Sequence, residues 1–297
     1  MFVTRLKVIV RHTTATRSVS ACSEDTGRVW SFPTLAQTSR VLFVVAKSLA
    51  QTGNGNRQLE NGGKDTVTKH IGIVAGSAEG AALCYRTICL EAQALMGEHN
   101  HPEITMNSIA MANHMPHIHA NDWEAVANLM AASAHKLAKA GADFAICPDN
   151  TYHQAFKYLI PQSPIPWLHI AKAVAEEANS SGYKRLGILG TKYLAESSVY
   201  PEALAEFNIE REIPEEADRE KINDIIFKEL VNGIFPETSR LYLNEVAEKL
   251  KQRGCDAVVL GCTEIPLIVR PDDCPLPTLD STRLLARAAL KRAVGDQ

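Results

Sequence analysis

Residues 141–151 read Gly-Ala-Asp-Phe-Ala-Ile-Cys-Pro-Asp-Asn-Thr, and residues 254–264 read Gly-Cys-Asp-Ala-Val-Val-Leu-Gly-Cys-Thr-Glu. An offset of 113 positions brings Asp149 onto Cys262. In each stretch a glycine typical of a helix end precedes a short apolar run typical of a buried strand. The two stretches therefore predict a repeated corner with a titratable side chain where each strand ends.

A second pair of similar segments accompanies the first. Residues 71–77 read Ile-Gly-Ile-Val-Ala-Gly-Ser, and residues 186–192 read Leu-Gly-Ile-Leu-Gly-Thr-Lys, at an offset of 115. Two pairs of similar segments separated by nearly the same number of residues indicate an internal duplication. We therefore expect two homologous α/β halves that face each other across a cleft.

Apolar runs alternate with helical stretches from Lys69 onward, which is typical of βαβ units and a mainly parallel sheet. Strands are predicted at His70–Ala75, Ile104–Ile109, Phe144–Pro148, Pro166–Leu168, Leu186–Leu189, Ala257–Gly261 and Thr278–Leu279. Helices are predicted at Glu79–Gly97, Trp123–Ala140, His169–Asn179, Arg219–Asn232 and Ser239–Arg253, with Gly141, Gly182 and Gly254 at helix ends.

The predicted architecture is α/β, with two pseudo-symmetric doubly wound domains of mainly parallel sheet and the active site in the cleft between them. Residues 70–165 with 276–297 form the first domain, and residues 166–275 form the second. Residues 1–69 are rich in Ser, Thr, Arg and Gly, and Thr52–Asp65 is polar and lacks periodicity, so the segment is interpreted as a disordered leader or a misassigned gene start. Residues 1–23 contain basic but no acidic side chains, so an organelle transit peptide is the alternative.

Composition excludes several classes of protein. A net charge of −3 gives no electrostatic footprint for nucleic acid. No apolar run approaches the roughly 20 residues of a membrane helix. The seven cysteines include no Cys-x-x-Cys pair, which favours a reducing compartment. We expect a cytoplasmic protein that binds a small molecule and neither nucleic acid nor membrane.

Polar side chains follow the predicted strands, where ligands gather in such sheets. We expect Thr151 and Thr263 to cap helix starts that favour an anion. Cys262 precedes a predicted helix start, which should lower its thiol pKa. Asp149 is either an acid/base group or a helix cap. The candidate catalytic residues are Cys262 and Asp149, and the candidate substrate-binding residues are Ser77, Asn150, Thr151, Thr191, Thr263 and Glu264.

The segments Pro-Asp-Asn-Thr-Tyr-His at 148–153 and Leu-Gly-Cys-Thr-Glu-Ile-Pro-Leu at 260–267 resemble the two signature motifs of the aspartate/glutamate racemase superfamily. Residues 186–191 and 279–283 also resemble family segments. The resemblance implies racemisation without a cofactor, by two cysteines on opposite faces of the α-carbon, and a homodimer. Cys262 takes the place of the second cysteine, and Asn150, Thr151 and Thr263 would hold the α-carboxylate and amine.

The chain departs from that family pattern at three places. Asp149 stands where the first cysteine is usual, and residues 75–79 replace the usual Met-Gly-Pro stretch. No Arg or Lys lies between Arg86 and Lys136, where a cation for a side-chain carboxylate is expected. With reference pKa values of about 3.9 and 8.5, moving the proton from the Cys262 thiol to Asp149 costs about 6 kcal/mol. Burial of Asp149 and a helix start at Cys262 should reduce that cost.

Other functions remain open at this point. A one-cysteine decarboxylase or isomerase of a small dicarboxylic acid, similar to arylmalonate decarboxylase or maleate isomerase, would need only Cys262. A non-catalytic relative would bind a small acid and exchange no proton. The segment His114-x-x-His117-x-His119 has metal-like spacing but is interpreted as a polar loop, one of whose histidines could replace the missing cation. Because no complete phosphate-binding glycine motif is present, we expect no nucleotide cofactor.

Overall fold

A computed structural model of the chain describes residues 20–22, 29–31 and 68–295. Strands β1 (Ser20–Cys22) and β2 (Val29–Ser31) form an antiparallel pair. The rest of the expected leader before residue 68 lies outside the described residues, so that expectation stays a prediction. The second of the chain's two units, Gly63–Gln297, carries the α/β fold.

The first large sheet is parallel and has the order β4-β3-β5. Its strands are β3 (Ile71–Ala75), β4 (Ile104–Ser108) and β5 (Phe144–Ile146). Helices α1 (Ala78–Met96), α2 (Met111–His119), α3 (Trp123–Lys139) and α4 (Phe156–Leu159) belong to the same half. The predicted strand at Pro166–Leu168 is reduced to a single bridge between Ala145 and Trp167.

The second large sheet is also parallel and has the order β7-β6-β8-β9. Its strands are β6 (Arg185–Leu189), β7 (Glu210–Glu212), β8 (Ala257–Leu260) and β9 (Thr278–Asp280). Its helices are α6 (Lys192–Ala195), α7 (Val199–Ala205), α8 (Glu216–Lys228) and α9 (Glu237–Gln252), and helices α5 (Ile170–Ser180) and α10 (Ser281–Val294) pack on both halves. The predicted α/β class with two mainly parallel sheets is confirmed.

Helices cover both faces of each sheet, which is why the strands are apolar without alternation. In β3, Ile71 and Ile73 pack on α1 and α10, whereas Val74 packs on the α3 side. In β8, Ala257 and Val259 pack on the α5 side, and Val258 and Leu260 pack on the α8 and α9 side. Hydrophobic burial on both faces thus fixes the sheets as the centre of each half.

The duplicated residues hold equivalent positions in the two halves. Asp143 accepts a hydrogen bond from the His70 backbone N–H at 2.7 Å, and Asp256 accepts one from the Lys184 N–H at 2.6 Å. Each carboxylate thus ties the start of its own strand to the neighbouring strand. The positive φ angles of +94° at Gly141 and +88° at Gly254 match the predicted helix ends.

The strand glycines at positions 72 and 187 serve the same purpose in both halves. A Cβ at Gly72 would lie 3.0 Å from Leu137 Cδ1, and one at Gly187 would lie 2.8 Å from Leu250 Cδ1. The absent side chains let α3 and α9 pack directly on their strands.

Helices α5 and α10 contact both halves. Leu284 of α10 packs in the core of the second half, while Leu285 and Leu290 pack against the first sheet. Strand β9 pairs with β8 in the second sheet, immediately before α10 crosses to the first. Among the described residues, no helix is long and apolar enough to cross a bilayer.

Candidate active site

All eight predicted site residues line one pocket at the carboxyl ends of the parallel strands. Loops after β3, β5, β6 and β8 supply its polar wall, which consists of Ser77, Asp149, Asn150, Thr151, Thr191, Cys262, Thr263 and Glu264. Parallel strands place their carboxyl ends at one edge of a sheet, so residues far apart in the chain meet there. Their catalytic and binding roles remain predictions.

Asp149 binds the loop after β3. Its Oδ2 accepts hydrogen bonds from the backbone N–H groups of Gly76 at 3.1 Å and Ser77 at 3.4 Å. Its side chain makes no capping bond to the 3₁₀ helix Asn150–Ala155 that follows it. Burial and the nearby Glu264 charge raise the pKa of Asp149 to about 7. The two hydrogen bonds from backbone N–H groups act in the opposite direction and lower it, but they do not offset the rise. The carboxyl therefore changes its ionisation near neutral pH.

Gly76 is required for this close approach. A Cβ at that position would lie 2.6 Å from both Asp149 Oδ2 and the Tyr152 hydroxyl oxygen. The segment of residues 75–79, which departs from the family pattern, therefore accommodates the Asp149 carboxylate.

Cys262 is a protonated thiol in this pocket. Burial, followed by the charge of Glu264 and a hydrogen bond to its carboxylate, raises the pKa of Cys262 well above the ordinary 9.0. The expectation that a helix start lowers this pKa is wrong. The helix that follows is a single 3₁₀ turn, Ile265–Leu267, and the pKa-lowering hydrogen bond from the Glu264 backbone N–H at its start is outweighed by burial and by the Glu264 carboxylate.

Glu264 is a buried carboxylate that binds the thiol. Its Oε2 accepts hydrogen bonds from Cys262 Sγ at 3.0 Å and from Thr263 Oγ1 at 2.7 Å. Its Oε1 is buried without a hydrogen-bond partner, and only 1% of the residue is exposed. Leaving a buried acceptor without a partner costs about 1–3 kcal/mol, so Oε1 favours a hydrogen-bond donor that enters the pocket.

Two pairs of hydroxyl groups join the halves on either side of the pocket. Ser77 Oγ lies 3.1 Å from Thr263 Oγ1, and Thr151 Oγ1 lies 3.0 Å from Thr191 Oγ1. Ser77 caps α1 and Thr191 caps α6, so these residues occupy equivalent positions two residues after a strand. The expectation that Thr151 and Thr263 cap helices is wrong, because Asp149 and Glu264 occupy the N-cap positions of the 3₁₀ helices that follow β5 and β8.

Asn150 connects the pocket wall to helices α7 and α10. Its Nδ2 donates to Ser281 Oγ at 2.9 Å, and its Oδ1 accepts from the Tyr200 hydroxyl at 2.8 Å. Ser281 in turn donates to the Leu260 carbonyl at 2.8 Å. Ser281 lies in the segment 279–283 that resembles the family. Tyr200 was missed because a buried tyrosine in a helix shows no sequence signal for this contact.

The outer wall of the pocket is apolar and was not predicted. Helix α2 contributes Met111, Met115 and Ile118, and the chain around the end of α8 contributes Ile226, Phe227 and Val231. The predicted polar loop at residues 114–119 is wrong, because this segment is part of α2. The apolar spacing of i, i+4 and i+7 in α2 was the available signal.

The histidines singled out from the sequence lie outside the pocket lining. His114 is buried and stacks on Tyr152 at a centroid distance of 4.5 Å. His117 Nδ1 lies 3.7 Å from an Asp122 carboxylate oxygen. His153 Nε2 lies 3.0 Å from the Cys147 carbonyl oxygen, and burial lowers its pKa well below 6.5. Within residues 68–295, no three His, Cys, Asp or Glu side chains are grouped to hold a metal.

Comparisons with known proteins agree with this geometry. An Asp/Glu racemase candidate from Yersinia pestis shares the fold with a TM-score of 0.70 and 33% identity, covering 76% of this chain and all of that one. An aspartate racemase homologue from Pyrococcus horikoshii OT3 shares it with a TM-score of 0.66 and 27% identity, over 76% of this chain and all of that one.

A curated relative supports the same assignment from sequence. The broad specificity amino-acid racemase RacX of Bacillus subtilis is 25% identical over 157 residues, which are 53% of this chain and 67% of that protein. The family model for Asp/Glu/Hydantoin racemase matches residues 73–289. The chain therefore belongs to the Asp/Glu/hydantoin racemase family.

Proposed function

We propose that this protein is a cofactor-independent racemase or epimerase that moves the α-proton of an amino acid. The observation that carries the proposal is the pair formed by Asp149 and Cys262, which line one pocket from matching corners of the two halves. One is a carboxyl group that ionises near neutral pH, and the other is a protonated thiol. Such a pair can remove a proton from one face of a carbon and supply one to the other.

In the proposed reaction, the ionised Asp149 takes the α-proton and the electron pair of the C–H bond passes into the substrate carboxylate. The resulting enediolate then takes a proton from Cys262 on the opposite face. This leaves a protonated Asp149 and a thiolate at Cys262. Exchange of protons with water restores the starting form. The reverse reaction begins from the thiolate form.

Glu264 orients the proton donor in this scheme. Because its Oε2 accepts the Cys262 S–H, the thiol has a defined direction before substrate enters. The same carboxylate favours the protonated thiol, since a thiolate beside it would be repelled. Thr263 donates to the same oxygen and so fixes the position of Glu264.

The hydroxyl pairs supply neutral groups for the substrate carboxylate. Thr151 and Thr191 line one part of the pocket, and Ser77 and Thr263 line another. A hydroxyl can rotate its hydrogen from its partner to an incoming anion. We expect the Thr151–Thr191 pair to bind the α-carboxylate, because the other pair is already bonded to Glu264 through Thr263.

A second candidate is protonation from one side only, as in a decarboxylase or isomerase of a small dicarboxylic acid. The raised pKa of Cys262 favours it, because a strongly held thiol proton suits a donor better than a base. In that reaction Asp149 would remove no proton.

Exchange of the α-proton in D₂O tests the proposal, with ¹H NMR and chiral chromatography over D- and L-amino acids. Wild type should exchange and invert both enantiomers. The Cys262→Ala variant should exchange one enantiomer without inversion, because Asp149 can still remove and return a proton on its own face. The Asp149→Asn variant should lose that exchange. Cys274→Ala, which changes a partly buried cysteine away from the pocket lining, is the matched control.

The remaining outcomes separate the alternatives. Carbon dioxide release from a substituted malonate, without racemisation, selects the one-sided reaction. Binding of amino acids without any exchange identifies a non-catalytic relative and refutes the proposal.

A further inference from the structure

The apolar wall of the pocket bears on which substrate the protein takes. Met111 and Met115 on α2 face the pocket together with Phe227 and Val231 of the second half. All four are partly exposed. Ile118 and Ile226 line the pocket as well, and both also belong to hydrophobic cores, so the wall is anchored on each side. The two halves therefore present opposing apolar surfaces above the polar floor.

The charges in the pocket are unfavourable for a second carboxylate. Its lining includes two acidic side chains, Asp149 and Glu264. Among the described residues, no Lys, Arg or His lines it. Lys192, adjacent to the lining residue Thr191, is bonded to Glu220 outside the pocket. A carboxylate on the substrate side chain would thus be buried near two acids without a cation, which is strongly disfavoured.

From this juxtaposition we infer that the substrate is an α-amino acid with an apolar side chain, held between α2 and the end of α8, and that aspartate and glutamate are excluded. The inference rests on the proposed function and specifies its substrate class. The α-carboxylate and the reacting carbon lie over the hydroxyl pairs and the Asp149–Cys262 pair, and the side chain contacts Met115 and Phe227. Full burial of a leucine-sized side chain favours binding by about 10- to 100-fold.

Matched substrates give the direct test. Leucine and aspartate have side chains of similar shape, as do 5-methylnorleucine and glutamate, and each pair differs in charge. We expect α-proton exchange at least about 100-fold faster, as kcat/KM, for the apolar member of each pair. Equal or faster exchange on aspartate and glutamate overturns the inference and leaves the proposed function intact.

Binding separates failure of this inference from failure of the proposed function. Ligand-observed NMR with 4-methylpentanoate and succinate measures side-chain preference without requiring a reaction. Preferential binding of 4-methylpentanoate supports the inference even when no substrate exchanges its proton, an outcome that refutes only the proposed function. Binding of neither acid, or preferential binding of succinate, overturns the inference.

A charge placed in the apolar wall provides a second test. Met115→Lys should shift the preference toward aspartate and glutamate by at least about 10-fold, because the ammonium pairs with their carboxylates. Asn113→Lys, on the exposed face of the same helix, is the control and should leave the preference unchanged. Phe227→Lys repeats the test from the other half in case the first variant fails to fold. An unchanged preference in a folded Met115→Lys or Phe227→Lys variant overturns the inference.

Discussion

Replacing Asp149 by asparagine should stabilise the folded protein at neutral and alkaline pH. The carboxyl of Asp149 has a pKa of about 7 when folded, against 3.8 for an unperturbed aspartate. The ionised form therefore destabilises the folded chain, and asparagine cannot ionise. Its amide oxygen can still accept the hydrogen bonds from the N–H groups of Gly76 and Ser77.

The magnitude follows from the difference between the two pKa values. Because the folded state holds the proton to a higher pH than the unfolded state, stability is lost as the pH rises from about 4 to about 7. At 1.36 kcal/mol per pH unit, the loss is about 2 kcal/mol at pH 5 and about 4 kcal/mol at pH 8. We therefore expect Asp149→Asn to be more stable than wild type by those amounts.

Urea denaturation at several pH values between 5 and 8, under reducing conditions, measures this difference. Titrating groups outside the pocket affect both proteins equally and cancel in the comparison. Asp272→Asn, at an exposed position, is the control and should change stability by less than about 0.5 kcal/mol at every pH. A difference independent of pH, or an Asp149→Asn variant less stable than wild type at pH 8, would refute the reasoning.

Three further predictions concern the pair and its support. Protein molecules with an ionised Asp149 and a neutral Cys262 should outnumber those with a protonated Asp149 and a Cys262 thiolate by at least about 100-fold. The pH dependence of kcat should therefore differ between the L- and D-enantiomers used as substrates. Their kcat/KM values must coincide at each pH, because the equilibrium constant between the two enantiomers is one. Identical kcat–pH profiles contradict this prediction. Glu264→Gln should lower the pKa of Cys262 and speed its alkylation by iodoacetamide at pH 8, followed by mass spectrometry; an unchanged rate argues against it. Gly80→Ala should lower stability by about 2 kcal/mol in thermal unfolding, since its Cβ would overlap Thr263, and a more stable variant contradicts the packing.

The strands of the two sheets could be predicted because helices cover both of their faces. Burial on both faces requires continuous apolar runs, and such runs are visible without the fold. Strand β7 was missed for the same reason, since Glu210-Arg-Glu212 lies at a sheet edge and has exposed or half-buried side chains. Helix α2 was missed because its histidines and Pro116 hide the apolar stripe at Met111, Met115 and Ile118.

The positions of Asp149 and Cys262 were determined by the sequence alone. Duplicated strands end at equivalent places, and a one-dimensional offset of 113 residues is enough to pair those ends. The family motifs at residues 148–153 and 260–267 led to the same corners. Tertiary structure adds no information on which two residues correspond.

The protonation state of that pair was decided only by the tertiary structure. The sequence suggested a helix start that lowers the Cys262 pKa, but burial, and then the Glu264 carboxylate that folds back onto the sulfur, raise it. Likewise, whether Asp149 caps its own helix or binds the loop after β3 depends on contacts between residues more than 70 positions apart. Burial and charge are sums over all neighbours in space, so a pKa follows from the folded chain and not from the order of its residues.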